Sequence, residues 1–439
     1  MRLKNINTTT IAVVGLSWGD EGKGKIVDFL AQKADIVVRY QGGNNAGHTV
    51  VCDGIKYKFN LIPSGAPLEK EVVIANGCVI DPQVLLNEIE NLKKLNKKIN
   101  LKLSSTAHII FPFHLVLDGL EEQSKGDYRA GTTKRGIGPT YSDKAARWGI
   151  RVYDLINPEL LKKKLEKLFW IKKRIINVFD SGWDANLNEI YETYKTYGER
   201  LKPYVIDTAY YLNKQIDSGR KVIFEGAQGN LLCIDMGLYP FGTSSNANAL
   251  GICAGTGIPP KKINKIVGVV KAYTSRVGGG FFPTEINDSI ADKIREQGHE
   301  YGTVTNRPRR IGWLDLVNIK YGTIINGVDE IVITLLDALE GINALYICTE
   351  YELNGNKIDY WPIQSELVEK CKPLYKKFDG WEPCSREEWT SIAKSGYNSI
   401  PKTMKIYLDF IKEFTKTKIA MISIGPDRND TIVLNKKLF

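Results

Sequence analysis

The sequence predicts an α/β fold, in which one large domain is built on a central, mostly parallel β-sheet with a variant phosphate-binding loop and long insertions. Short runs rich in Val and Ile alternate along the chain with helical segments. These runs lack the strict apolar–polar alternation of half-exposed strands, which is typical of parallel strands buried on both faces. A glycine-rich loop joins the first run to the first helical segment, which is where parallel sheets bind ligands.

The predicted strands follow one another through the whole chain. They span residues 11–15, 35–40, 71–76, 107–111, 221–224, 266–272, 330–336 and 418–423, and a helix is predicted from about residue 24 to residue 33. Residues 242–260 are small and glycine-rich and are expected to form an ordered loop. Because no repeat or low-complexity linker interrupts the pattern, residues 1–439 are predicted to be a single domain, with residues 1–10 as a polar N-terminal extension.

The composition limits which classes of partner and which cellular compartment are expected. The net charge of +10 favours anionic partners such as nucleic acid, acidic membranes or phosphorylated small molecules. No apolar run approaches the roughly 18 residues of a membrane helix and no signal peptide is legible, so no membrane partner is expected. The seven cysteines are scattered without a CxxC pair, which predicts unpaired thiols in a reducing, cytoplasmic compartment.

The most basic segment, residues 161–174, could be the wet face of a surface helix or a stripe that binds nucleic acid. Its apolar residues Leu161, Leu165, Leu168 and Phe169 recur at helical spacing, so a surface helix is the preferred interpretation. No zinc-finger, RRM or KH pattern accompanies the segment, and no nucleic-acid partner is expected.

The loop after the first predicted strand has the composition of a phosphate-binding site. It reads GLSWGDEGKGK over residues 15–25, and its glycines let backbone N–H groups approach phosphates at a helix N-terminus. It is not a standard Walker A loop, because Lys23 is followed by Gly rather than Ser or Thr, and a structural glycine turn is the alternative. Asp20 would repel phosphate, so it makes sense only as a Mg²⁺ ligand or a proton acceptor.

A second polar loop follows the second predicted strand. Residues 41–49 read QGGNNAGHT. Since the carboxyl ends of parallel strands meet at one edge of a sheet, this loop is expected beside the first. A lone histidine is more often structural than catalytic, but His48 lies among glycines and amides at this edge, which favours a functional role.

Together, these two loops resemble the adenylosuccinate synthetase family. The resemblance continues in order from Val13 to Arg428. It passes through residues 131–139, 143–147, 224–229, 243–246, 276–285, 302–310, 334–337 and 423–428, which read GTTKRGIGP, DKAAR, FEGAQG, TSSN, RVGGGFFPTE, GTVTNRPRR, TLLD and SIGPDR. Ordered motifs over this length are far more specific than one phosphate loop.

The resemblance implies a GTP-dependent ligase that condenses IMP with L-aspartate to adenylosuccinate, GDP and phosphate, the first committed step from IMP to AMP in purine biosynthesis. The reaction would pass through 6-phosphoryl-IMP, which then loses phosphate to the amino group of aspartate. The resemblance also implies one Mg²⁺ per active site, with Asp20 and the Gly47 carbonyl as ligands. It implies a homodimer in which Arg147 completes the IMP site of the neighbouring subunit.

Residue roles follow from the motif positions. Catalysis would use Asp20 as the general base, His48 as the general acid, Lys23 and Gln228. IMP would contact Asp20, Glu21, Gly22, Lys23, Asn45, Ala46, Gly47, His48, Thr133, Arg147, Gln228, Thr243 and Arg307. GTP would contact Gly19, Asp20, Glu21, Gly22, Lys23, Gly24, Lys25, Gly47, His48, Thr49, Arg309, Leu335, Leu336, Asp337, Ser423, Ile424 and Gly425. Aspartate would contact Thr303, Val304, Thr305, Asn306, Arg307, Pro308 and Arg309.

Two of these roles have a physical basis of their own. A dicarboxylate suits the planar donors of Arg307 and Arg309, although a solvated basic turn is the alternative. The Asp337 carboxylate can accept hydrogen bonds from both N1–H and the amino group of guanine, and adenine offers no such pair. Leu335 stands where the family usually has lysine, which leaves the packing of guanine open, and Asn44 stands where many members have histidine.

Two other functions stay open at this point. Another nucleotide-dependent ligase with the same variant phosphate loop, such as a dethiobiotin-synthetase-like enzyme, should lack the Asn-Ala-Gly-His and arginine motifs. A GTP-binding switch without ligase activity should carry a conventional Walker A loop and an Asn-Lys-x-Asp motif, and neither occurs in this sequence.

Overall fold

The computed structural model describes residues 9–52, 54–180, 182–302 and 307–438. The strands are β1 (Thr10–Gly15), β2 (Ile36–Arg39), β3 (His48–Cys52), β4 (Ile55–Phe59), β5 (Glu71–Ile74), β6 (Val79–Ile80), β7 (Asn100–Ser104), β8 (His108–Ile109), β9 (Val205–Ile206), β10 (Val222–Glu225), β11 (Lys265–Lys271), β12 (Thr274–Arg276), β13 (Arg310–Gly312), β14 (Leu314–Asp315), β15 (Glu330–Thr334), β16 (Ala344–Leu353), β17 (Asn356–Ile358), β18 (Lys372–Asp379), β19 (Lys418–Ser423) and β20 (Thr431–Val433). The helices are α1 (Lys23–Ala31), α2 (Pro82–Lys94), α3 (Pro112–Ser124), α4 (Ile137–Ala146), α5 (Val152–Leu155), α6 (Pro158–Phe179), α7 (Leu187–Leu201), α8 (Thr208–Asp217), α9 (Leu250–Thr256), α10 (Ser289–Gln297), α11 (Leu316–Asn326), α12 (Ser365–Glu369), α13 (Arg386–Ser395) and α14 (Lys402–Thr415).

A central sheet organises the chain. Within the described residues it has ten strands, in the order β20-β19-β15-β11-β1-β10-β2-β5-β7-β9. Neighbouring strands are parallel throughout, except that β20 runs antiparallel to β19. The predicted α/β fold on a mostly parallel sheet is therefore confirmed.

The central strand β1 shows why the sequence lacks apolar–polar alternation. Its side chains alternate between two core clusters, with Ile11 and Val13 packed in one, together with α1, and Ala12 and Val14 packed in the other. All four are fully buried, and each such Val or Ile contributes about 1.5–3 kcal/mol relative to exposure. Both faces of the strand are thus covered, so neither face needs polar residues and the sequence shows no apolar–polar alternation.

The same parallel arrangement positions the functional loops. Strands β1, β2, β10, β15 and β19 all end at one edge of the sheet. The segments that follow them begin at residues 16, 40, 226, 335 and 424, and these segments contain most of the predicted site residues. Motifs that are far apart in the chain are therefore neighbours at this edge.

One predicted strand lies outside the central sheet, and two strands at one side of that sheet were missed. Residues 107–111 form only the short β8, which pairs with β6 outside the central sheet, so their assignment to the sheet was wrong. This side of the sheet is completed instead by β7 and, at the edge, by the two-residue β9. β7 alternates polar and apolar residues, so it lacks the apolar run that marks central strands.

The small-residue stretch 242–260 is only partly a loop. Its second half forms α9, so the prediction of a loop was wrong for that part. A Cβ on Gly255 of this helix would lie 2.1 Å from the carbonyl oxygen of Tyr40. Glycine is needed there because the helix packs closely against the end of β2. In the sequence alone, a glycine required for close packing looks the same as a glycine in a loop.

The basic segment 161–174 lies in α6, as predicted. Leu161, Leu165, Leu168 and Phe169 are buried against the core. One lysine also turns inward: Lys172 is nearly buried and pairs with a carboxylate of α4. The helix therefore has one apolar face and one wet face, as in the preferred interpretation.

Long insertions surround the sheet. They include the β3–β4 hairpin, the helices α3 to α7, and a small sheet of β14, β16, β17 and β18. No disulfide bond forms among the cysteines, all of which lie in the described part of the chain. Among the described residues, no helix combines the length and the apolarity needed to cross a membrane. The assignment of the whole chain to one domain stays a prediction, and residues 1–8 lie outside the described residues.

Candidate active site

A cavity of about 580 Å³ opens at the carboxyl edge of the sheet, between the ends of β1, β2 and β10. The predicted site residues that line it are Gly19, Asp20, Gly22, Lys23, Gly24, Lys25, Asn45, Ala46, Gly47, His48, Thr49, Thr133, Gln228, Thr243, Arg307 and Arg309. The predicted residues that do not line it are Glu21, Arg147, Pro308, Leu335, Leu336, Asp337, Ser423, Ile424 and Gly425. Thr303, Val304, Thr305 and Asn306 lie outside the described residues.

The loop between β1 and α1 has the backbone of an anion-binding turn. Gly19, Asp20 and Gly22 have φ values of 85°, 58° and 83°, and α1 begins directly after Gly22. Left-handed backbone is cheap for glycine and costs more for an aspartate, so Asp20 is held in an unusual conformation at the cavity. The first N–H groups of α1 have no partner within the helix and are available to a phosphate.

Glu21 holds this loop together from inside. Its carboxylate accepts hydrogen bonds from the backbone N–H groups of Ser17 at 3.2 Å and Gly19 at 2.9 Å, and it pairs with Lys23 Nζ at 2.6 Å. Glu21 is buried and does not line the cavity. Its side chain therefore shapes the loop and restrains the lysine, while any contact with a ligand would come from its backbone.

Lys25 connects the cavity to a second group of predicted residues. Its Nζ donates to Ser423 Oγ at 2.7 Å and to the Gly425 carbonyl at 2.6 Å. Burial lowers the pKa of Lys25 to about 7, and the Asp337 carboxylate nearby opposes this shift. The residues predicted to hold guanine thus adjoin the cavity through Lys25, although they do not line it.

Asp337 has a carboxylate oxygen that can accept a hydrogen bond from a ligand. Burial raises the pKa of its carboxyl group, and its Oδ1 atom is buried without a hydrogen-bond partner among the described residues. Leu335, two residues earlier, is partly buried and has a left-handed backbone with φ of 59°. A buried acceptor without a partner is costly unless a ligand supplies donors, as guanine can.

Asp20 is linked to a buried charge network. Arg309 Nε lies 2.9 Å from Asp20 Oδ2, but its N–H does not point at that oxygen, so the contact is an ion pair without a hydrogen bond. Arg309 Nη1 also donates to Glu300 Oε2 at 2.7 Å. Burial alone would raise the pKa of Glu300, but Lys271 and Arg309 outweigh this effect and lower it. The network therefore holds Arg309 beside Asp20.

Arg307 turns away from Arg309. Its Nη2 donates to the Gly131 carbonyl at 2.9 Å, on the loop that precedes α4. The backbone N–H of Gly302 donates to the Arg307 carbonyl at 2.8 Å, so the two flanks of residues 303–306 are tied together. The two arginines thus have different partners around the cavity.

His48 is held by a fully buried glutamate. Its Nδ1 contacts Glu225 Oε1, and the same oxygen accepts a hydrogen bond from Ser64 Oγ at 2.6 Å. Burial lowers the pKa of His48, and Glu225 opposes this shift. Burial alone would raise the pKa of Glu225, but His48, Arg39 and Ser64 together lower it.

Polar side chains on the opposite wall are free to meet a ligand. Gln228 has a left-handed backbone with φ of 58°, and both polar atoms of its side chain lack hydrogen-bond partners among the described residues. Asn45 Nδ2 donates to Thr243 Oγ1 at 3.4 Å, which joins two predicted IMP residues across the cavity. A strained amide residue without partners is typical of a binding site.

The loop that carries Thr133 is fastened by carboxylates of α3. Glu122 accepts from the backbone N–H groups of Gly131 at 2.6 Å and Thr132 at 3.1 Å, and Asp118 accepts from Thr132 Oγ1 at 2.8 Å. Arg147, at the other end of α4, is exposed and outside the cavity of its own chain.

Sequence reasoning missed the residues that support this site. Glu225 lies inside the FEGAQG motif, at the end of a buried strand. A charged residue at such a place is unusual and could have been predicted to serve the site. Glu300 and Glu122 carry no such signal, because each is an ordinary glutamate in a polar stretch of sequence. Their partners lie nine or ten residues further along the chain, at spacings that no helix or strand pattern marks.

The chain is similar to known proteins over nearly its whole length. The family model described as adenylosuccinate synthetase matches residues 12–432. An adenylosuccinate synthetase from Thermoanaerobacter sp. is 49% identical over 97% of this chain and 99% of its own length. One from Streptococcus gordonii is 46% identical over 97% and 98%. The fully ligated adenylosuccinate synthetase from Plasmodium falciparum superposes with a TM-score of 0.91 at 38% identity, and the match covers 97% of this chain and 100% of that one. The chain therefore belongs to the adenylosuccinate synthetase family.

Proposed function

We propose that the cavity at the carboxyl edge of the sheet is where this chain joins IMP to L-aspartate with GTP, forming adenylosuccinate, GDP and phosphate. One observation carries this proposal: Asp20, His48 and Gln228 come from three separate loops and line one cavity at the start of α1. The reaction needs a base near the purine, an acid near the phosphoryl group and a place for phosphates. Those three groups stand together only in this cavity of the described structure.

In the first step, Asp20 takes the proton from N1 of IMP. This shifts electron density to O6, which attacks the γ-phosphorus as the bond to the β-phosphate oxygen breaks and GDP leaves. The ion pair with Arg309 supports this role, because the guanidinium keeps the carboxylate oriented at the cavity. Most of the rate enhancement then comes from positioning rather than from a strong base.

His48 acts on the transferring phosphoryl group in the same step. His48, the first residue of β3, lines the cavity beside the N-terminus of α1, whose N–H groups and Lys23 would stabilise phosphate charge. In this arrangement His48 gives a hydrogen bond to a phosphoryl oxygen where negative charge accumulates. Gln228 would hold the purine through its unpartnered amide.

In the second step, the aspartate amine attacks C6 of 6-phosphoryl-IMP. The C6–O6 bond breaks, phosphate leaves with that electron pair, and the nitrogen gives its extra proton to solvent. Arg307 and Arg309 would each hold a carboxylate of aspartate, which their different partners around the cavity allow.

The residues present fit one Mg²⁺ ion. Asp20 and Gly47 line the same cavity, the Asp20 side chain is 37% exposed, and both groups offer oxygen atoms. Mg²⁺ in nucleotide sites is usually held by one or two carboxylates together with substrate phosphates. The ion would neutralise phosphate charge as the phosphoryl group moves.

The working unit is proposed to be a homodimer in the cytoplasm. Arg147 is exposed at the end of α4 and lies outside the cavity of its own chain, which suits a residue that reaches the IMP site of a partner subunit. Closed two-fold pairing would place each Arg147 at the other subunit's site.

A single assay tests the proposed reaction. Adenylosuccinate absorbs differently from IMP, so turnover can be followed directly by absorbance. The complete mixture of IMP, aspartate, GTP and Mg²⁺ should give product, and leaving out any one of the four should abolish it. Release of GDP at the full rate without aspartate or IMP would instead indicate a GTPase switch and would contradict the proposed ligase site.

A further inference from the structure

We propose that Glu225 is a positioning residue for the reaction: its carboxylate fixes the ring plane of His48 and the proton on Nδ1, so that Nε2 faces the reacting phosphoryl group. This inference rests on the proposed role of His48. Glu225 itself has no exposed surface and does not line the cavity, so it acts through the histidine.

The carboxylate of Glu225 is held on both oxygens. Oε1 contacts His48 Nδ1 and accepts from Ser64 Oγ at 2.6 Å, and Oε2 accepts from the backbone N–H of Ser64 at 2.8 Å. The residue is the last of β10, a strand buried along its whole length. With the backbone in a sheet and both oxygens engaged, the carboxylate cannot rotate away from the ring.

This contact decides which ring nitrogen carries the proton. An ionised carboxylate only accepts hydrogen bonds, so the nitrogen that faces it must bear the hydrogen. Nδ1 is that nitrogen in His48, so when the ring carries two protons the second one is on Nε2, the nitrogen left for the cavity, from which it can be given to a phosphoryl oxygen. A histidine with its second nitrogen fixed in this way presents one defined group to a ligand.

A purely structural role for Glu225 is the competing explanation, because the residue also ties the segment around Ser64 to the sheet. Another buried glutamate, Glu88 of α2, also holds this segment. Glu88 accepts from the backbone N–H groups of Asn60, Leu61 and Ile62 in the same segment. No contact joins Glu88 to His48 among the described residues. Glu88→Gln is therefore the matched control for Glu225→Gln.

Steady-state kinetics separate the two roles. We expect Glu225→Gln to lower kcat by about tenfold or more, up to the roughly 10²- to 10⁴-fold that general acid–base catalysis contributes, while the KM values of IMP and GTP change little. Glu88→Gln should leave kcat near that of the unmodified enzyme. Equal effects of the two substitutions, or a loss confined to KM, would overturn the proposal.

A double substitution shows whether Glu225 acts through the histidine. In the His48→Asn background, Glu225→Gln should cause no further loss of kcat, because the group that it positions is already gone. A further loss as large as in the unmodified background would assign Glu225 a separate role. If His48→Asn alone left turnover normal, the proposed function of His48 would fail, and that result is distinguishable from failure of the Glu225 proposal.

A spectroscopic measurement keeps the inference testable if Glu225→Gln does not fold. The unmodified protein, labelled with ¹⁵N in its four histidines, can be compared with His48→Asn to assign the signals of His48. The two ring nitrogens have different ¹⁵N shifts when protonated and unprotonated. A proton on Nδ1 is expected, and a neutral ring protonated only on Nε2 would overturn the proposal.

Discussion

Replacing Arg309 by leucine tests the aspartate site most directly. The Arg309 side chain is 9% exposed and lies between Asp20 Oδ2, at 2.9 Å, and Glu300 Oε2, at 2.7 Å. Removing its guanidinium takes one charge-assisted contact from a substrate carboxylate, which costs about 1.5–3 kcal/mol. Since about 1.4 kcal/mol is a factor of ten, the KM for aspartate should rise roughly 10- to 150-fold.

The same substitution has a limited cost in stability. Glu300 is fully buried, but without Arg309 it would still pair with Lys271 at 2.5 Å and accept from Tyr273 Oη at 2.5 Å. The loss in unfolding free energy should therefore stay below the roughly 3–5 kcal/mol that follows when a buried charge loses its partner. The Asp20 side of the contact is more exposed and should add no more than about 1 kcal/mol.

Initial rates measured by absorbance, with each substrate varied in turn, give the three KM values, and thermal unfolding gives the stability. Arg310→Leu is the matched control, because Arg310 pairs with Glu285 and does not line the cavity. The reasoning is refuted if the KM of GTP moves most in Arg309→Leu, or if Arg310→Leu raises the KM of aspartate equally.

Three further predictions concern the other parts of the site. Asp20→Asn should abolish formation of 6-phosphoryl-IMP while nucleotide binding survives in part, since the amide keeps the shape but cannot take a proton; near-normal turnover would remove Asp20 from the base role. GTP should be preferred over ATP in kcat/KM by orders of magnitude, and Asp337→Asn should weaken that preference, because the carboxylate accepts from two donors of guanine; equal kcat/KM in the unmodified enzyme would contradict this. Mixing inactive Asp20→Ala and Arg147→Leu subunits should restore about a quarter of the activity, because half of the dimers would carry one intact site; no recovery after demonstrated subunit exchange would place Arg147 outside the partner's site.

The strands and the phosphate loop could be read from local sequence because their signals are local. A strand covered on both faces must be apolar throughout, as β1 is, and a turn with left-handed backbone must be rich in glycine, as residues 19–22 are. Strands β7 and β9 carried no such signal. The helix α9 was also hidden, because glycines selected for close packing look the same in sequence as glycines selected for a turn.

The sequence by itself determined the fold class, the family and the side chains of the predicted chemistry, since each depends on residue types at short, fixed spacing. Only the tertiary structure decided how those side chains are held. Glu225 restrains His48 across 177 positions of the chain, and Arg309, which is held by the nearby Glu300, lies beside Asp20 on a distant loop. These contacts depend on which strand ends and loops meet at the edge of the sheet. That choice is a property of the packed chain as a whole, because parallel strands bring together segments that no local pattern connects.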